Sequence, residues 1–150
     1  MIVRTATPDD IPAIAKLGAA FHAQAQWSDV FDYREDDCAA SLGALMGSDA
    51  FICVVADGGE IEGMAAGVVS PVYFNHGHVS GEELFWWVSD KAAPMTGMRM
   101  LTALEDEAKA KGCQSWQMKS IARLNGDRMG RVYARRGYRP SEHTFIKRFG

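Results

Sequence analysis

The chain has 150 residues, 47% of them apolar and 23% charged, with a formal net charge of −3. That length and balance describe one ordinary domain with its own core; they exclude a disordered tail and a basic nucleic-acid module. No stretch reaches the roughly 20 apolar residues of a membrane span, and the opening MIVRTATPDD lacks the apolar run of a signal peptide, so the expected compartment is the cytoplasm.

Ile2 to Thr5 is a short strand. Thr7-Pro8-Asp9-Asp10 is a helix start: a capping threonine, a proline suited to the first position, and two acids at the positive end of the dipole. Ile11, Ile14, Leu17, Gly18 and Phe21 then follow at helical spacing, and a second helical pattern lies between Tyr33 and Met46. Ala50 to Ala56 is a β-branched strand. Asp57-Gly58-Gly59-Glu60 turns it into a returning strand over Ile61 to Phe74, and Asn75 to His78 reads as a loop. Glu82 to Val88 is a third strand, apolar on both faces and hence central. Ser89 to Thr96 is irregular. Gly97 to Lys111 is an amphipathic helix stopped by Gly112. Cys113 to Ile121 is the next strand, with Trp116 and Met118 on one face. Asn125 caps a helix running to Arg136 and stopped by Gly137, and Tyr138–Pro140 with His143–Phe149 form a last extended segment.

Cys38, Cys53 and Cys113 form no CxxC pair and lie in apolar segments, as free thiols in a reducing compartment do. His22, His76, His78 and His143 are not spaced with them as zinc ligands, so no metal is expected. The element order β-α-α-β-β-β-α-β-α-β predicts an α/β (α+β) domain spanning residues 1–150, with a mixed, mostly antiparallel central sheet flanked by helices.

That order, together with R-x-A-x-x-x-D-I-P-A-I (Arg4 to Ile14), the Gly-turned hairpin, EELFWWV followed by GMRMLTALEDEAKAKG, and Asn125, Tyr133 and Gly137-Tyr138, resembles the GNAT family of N-acetyltransferases over nearly the whole chain. The tandem Trp86-Trp87 resembles a subgroup often carried by phages. The resemblance implies the GNAT fold and transfer of an acetyl group from acetyl-CoA to an amine, by direct attack in a ternary complex. It also allows a homodimer. Glu83, at the entry to the central strand, is then the base that frees the attacking amine, with Glu82 as the alternative one position away. Tyr133 is the acid that protonates the leaving thiolate. Trp87 and Val88, Ala93, Met95, Thr96, Gly97 and Met98, and Asn125 are the acyl-CoA contacts, with Trp86 beside the pantetheine arm. Each has a plainer reading: a solvated strand-end carboxylate, a packed aromatic, a helix cap.

The phosphate loop departs from the family's [Q/R]-x-x-G-x-[G/A]. In Lys91–Arg99, Gly97 is either the first or the last small position by register. The usual Arg or Gln is accordingly Ala92 or Pro94, and one glycine is replaced by Met95 or Arg99. Glycines there let backbone N–H groups approach phosphate at a helix N-terminus, and Pro94 removes a donor. The departure keeps open a second reading, a catalytically weak or inactive acyl-CoA-binding or regulatory module.

Overall fold

The computed structural model describes residues 1–150. Four strands, β1 (Ile2–Thr5), β2 (Phe51–Asp57), β3 (Ile61–Val72) and β4 (Asn75–Val88), pair antiparallel in sequence order, and β5 (Ser115–Gln117) adds parallel to β4. Helices α1 (Ile11–Ala25), α2 (Glu35–Leu45), α3 (Thr96–Ala110) and α4 (Gly126–Arg135) complete the chain. No helix is long and apolar enough to cross a membrane.

Residue alternation in β2 divides the core into two layers. Phe51, Cys53 and Val55 pack with Ile14, Phe21, Leu42, Met64 and Trp87 on the α1/α2 face. Ile52, Val54 and Ala56 pack with Ala65, Met100, Leu104 and Ala108 on the α3 face. Burial pushes the Cys53 thiol up to about 12, so it is inert at neutral pH.

The start of α1 is tied more firmly than a simple cap requires. A single 3-10 turn (Pro8–Asp10) precedes the helix. The Asp10 carboxylate accepts the Thr7 N–H at 2.8 Å and two hydrogen bonds from the Arg4 guanidinium, which also reaches Asp57. The bond to Arg4 does most to hold the Asp10 carboxyl down near 2, against the opposing effect of burial.

Three expectations are corrected. Asn75–His78 is not a separate loop: β4 begins at Asn75, which pairs with Val72, and only Tyr73 and Phe74 form the hairpin tip; the next pair is Val79 with Pro71, so His76–His78 bulge out without a partner on β3. Strand β5 spans three residues rather than nine. The Lys119 N–H is taken by the Glu83 side chain instead of the neighbouring strand, so the chain peels away after Gln117. Tyr138–Gly150 joins no ladder, so the sheet has five strands and the last β of the expected order is missing. Pro140 has no N–H to give a ladder, and Phe145 and Phe149 stand about 90% exposed instead of packing on it.

Candidate functional site

The site is built where β4 and β5 separate. β4 pairs with β3 as far as Val88 but with β5 only over Ser80–Glu82, so one backbone edge of Glu83–Val88 has no strand beside it. The Ser89 N–H donates to the Glu62 carbonyl, toward β3. By alternation, the backbone groups of Trp87 also point to β3, and those of Trp86 and Val88 point to the open edge. An extended ligand with amide groups fits that edge as an added strand.

A bulge sits in the same stretch. Ala66 pairs with Phe85 and Gly67 with Glu83, so Leu84 has no partner on β3. The extra residue turns the strand's faces over. Glu83 and Gly81 share the α3 face, where the Trp116 ring lies against Gly67 and Gly81 with no room for a Cβ at either. Beyond the bulge, Trp86 and Val88 take that face, while Trp87 turns into the α1/α2 layer. The Trp87 ring is core, and its Nε1–H donates to Gln24 Oε1 at 3.0 Å. Trp86, two residues before the end of β4, has the position at the separation.

Glu83 is 5% exposed. Its Oε2 accepts the Lys119 backbone N–H at 2.8 Å. Burial pushes its carboxyl up to about 7; the Lys119 N–H and the Lys119 charge oppose this and do not cancel it. Glu82 points to solvent and pairs with Lys119 Nζ at 3.6 Å. The two neighbours are thus separated by environment, and Glu83 is the one whose proton affinity lies near neutral pH.

Tyr133 comes from α4 and is 9% exposed. Its hydroxyl donates to the Lys119 carbonyl at 2.5 Å. Burial, with the charges of Glu83 and Tyr138 adding to it, raises the phenol well above its ordinary value, so it stays protonated. Its ring lies 6.2 Å from Trp86 and 5.5 Å from Tyr138. Lys119 therefore joins the two expected proton-handling residues through its backbone, one at its N–H and one at its carbonyl. No sequence signal marks Lys119 for this.

The loop before α3 bears on the register left open by the sequence. Met95 is the helix N-cap and has φ +67°, the left-handed conformation that glycine adopts without penalty. That conformation fits the register with Met95 at the first small position, Gly97 at the last, and Ala92 where Arg or Gln is usual. Gly97 abuts β4: a Cβ there would meet Val88 Cγ2 at 3.5 Å and Trp86 Cζ2 at 3.6 Å. Thr96 is buried, and both its N–H and its hydroxyl donate to the Ala93 carbonyl, so its role is to close the turn. The Gly97 and Met98 N–H groups have no backbone acceptor, which leaves two donors at the positive end of α3.

Asn125 stands at the start of α4, but its side chain does not cap that helix. Oδ1 accepts the Ile121 N–H at 3.2 Å and braces the preceding turn. It lines a cavity of about 530 Å³ with Arg123, Arg128 and Arg131, apart from Glu83. A second cavity, of about 280 Å³, lies between α3 and β5 and is lined by Trp116, Arg136 and Tyr138.

No protein-family model matches this sequence, and no curated protein matches it either. Solved structures do match its shape over nearly full length. A ribosomal-protein-alanine N-acetyltransferase from Brucella melitensis biovar Abortus is 16% identical with a TM-score of 0.72, covering 99% of this chain and 100% of that one. AAC(6')-Iy, in complex with the bisubstrate analog CoA-S-monomethyl-acetylneamine, is 12% identical with a TM-score of 0.73, covering 99% and 97%. A transcriptional regulator from Bacillus halodurans is 17% identical with a TM-score of 0.74, covering 99% of each. The antiparallel sheet opened at its β4/β5 edge, flanked by helices and matched by these structures, is the GNAT acyltransferase fold.

Proposed function

We propose that this protein is an acetyl-CoA-dependent N-acetyltransferase of the cytoplasm, acting on a small-molecule or protein amine. The observation that carries this reading is the buried Glu83 carboxyl, held near neutrality beside an unpaired backbone edge and two free N–H donors at the start of α3.

Those features fit acetyl-CoA. The open Trp86 and Val88 backbone groups suit the amides of the pantetheine arm, and the Gly97 and Met98 N–H groups suit the diphosphate. When bound, acetyl-CoA supplies the thioester carbonyl that the amine attacks. Glu83 as the carboxylate accepts the proton that the ammonium must lose, and a group with pKa near 7 is matched to that task at neutral pH. The new C–N bond forms as the C–S bond breaks, and the thiolate takes a proton. Tyr133 is a buried donor for it, once its hydroxyl leaves the Lys119 carbonyl.

The test is twofold. Acetyl-CoA should raise the melting temperature, and a panel of amines should release free thiol from acetyl-CoA in the presence of the protein. Binding without turnover across the panel would favour the second reading, a regulatory or acyl-CoA-binding module. The left-handed Met95 and the donorless Pro94 in the phosphate loop favour that alternative.

A further inference from the structure

We infer that the indole N–H of Trp86 is a hydrogen-bond donor to the diphosphate of acyl-CoA, acting beside the two N–H groups at the start of α3; this rests on the acyl-CoA reading above.

Trp86 Nε1 is sealed from solvent and has no acceptor in the protein. Buried polar groups are nearly always partnered, because a stranded donor weakens the fold, so an exception calls for a ligand or a reason. Trp87 shows the contrast: the adjacent indole has its acceptor in Gln24. The Trp86 ring lies between Tyr133 and the first turn of α3. Its Nε1 is 3.9 Å from the point where a side chain on Gly97 would begin. The absence of that side chain leaves the indole edge facing the helix start, where the Gly97 and Met98 N–H groups are also free. Three unpartnered donors thus lie near the start of α3, none of them from a lysine or arginine. The usual Arg or Gln position is occupied by Ala92, which has nothing to offer an anion. The indole supplies the donor that the loop lacks. Because Nε1 is closed to water, a ligand must open its surroundings to reach it.

Titration calorimetry with CoA and with pantetheine, which has no phosphate, tests this on the wild type and on Trp86→Phe. The variant keeps a ring and loses the donor. Its affinity for CoA should fall about tenfold, as for a lost hydrogen bond to a charged acceptor. Pantetheine binding should be unchanged, and the unliganded variant should melt no lower than the wild type. Equal CoA affinity, or an equal loss for pantetheine, overturns the assignment. If Trp86→Phe folds poorly, Gly97→Ala serves instead. Its methyl group fits at ordinary contact distance and screens the indole N–H, so CoA should weaken and pantetheine should not; unchanged CoA binding overturns the inference. A wild type that binds no CoA overturns the acyl-CoA reading itself, whereas binding that ignores both substitutions overturns this inference alone.

Discussion

Glu83→Gln should make the protein more stable, and only at neutral and alkaline pH. In the unfolded chain the carboxyl titrates near 4.5, and in the fold near 7. Between those values the native state holds a proton that the unfolded state has released. Stability therefore falls as pH rises through this window, and the cost is complete above about pH 7. The gap corresponds to about 3 kcal/mol at 1.36 kcal/mol for each pH interval of one. Glutamine keeps the shape and can accept the Lys119 N–H without ionising. The difference in unfolding free energy between variant and wild type should be small and flat below pH 4.5. It should climb to about 3 kcal/mol by pH 8, or about 6–12 °C in melting temperature for a chain of this size. Urea unfolding at pH steps from 4 to 9, with equal m-values required, measures it. A difference that does not change with pH would refute the reasoning, because it would mean that Glu83 titrates in the fold as it does in water.

Glu83→Gln should also lower the acetyl-transfer rate by about 10²-fold or more at neutral pH. The wild-type pH–rate profile should rise through a limb near 7 that the variant lacks. Met95→Gly removes a side chain from a left-handed position and should tighten acetyl-CoA binding, with stability changing by no more than about 1 kcal/mol; calorimetry and urea unfolding together check this. Gly97→Glu places bulk and negative charge at the start of α3 and should abolish the thermal shift with acetyl-CoA, and an undiminished shift would place the cofactor elsewhere. Gly67→Ala drives a Cβ to 2.4 Å from Trp116 Cη2 and 2.6 Å from the Glu82 carbonyl oxygen, so it should destabilise by about 1–3 kcal/mol in urea unfolding.

Most of the fold was legible because periodicity and punctuation agree locally. The apolar run of β2 and the turn or stop glycines Gly59, Gly112 and Gly137, all at positive φ, lie where the sequence places them. The misses come from non-local forces. Asn75–His78 has loop composition, yet the Asn75 pair with Val72 starts the strand there, and His76–His78 follow as a bulge. The final segment reads as extended, but Tyr138–Gly150 joins no ladder. At the site, the face to which the Trp87 ring turns was not readable. Four residues along an unbroken strand share a face, and the extra residue Leu84 reverses that, putting Trp86 with Glu83. A single bulge has no sequence signature strong enough to reveal this. The Lys119 contacts were illegible for a related reason: they use the backbone, which any residue type possesses.

Glu83 and Tyr133 grip the same residue from opposite sides, and this makes them one mechanical unit. An ionised Glu83 is the stronger acceptor for the Lys119 N–H, and the carbonyl of the same residue anchors Tyr133 and, with it, α4. Losing either contact loosens the tether for both. A double-mutant cycle across the pair should therefore return a substantial interaction energy, with the combined variant less impaired than the two single losses multiplied together. Rates measured on either residue alone describe the tether as much as the side chain that was removed.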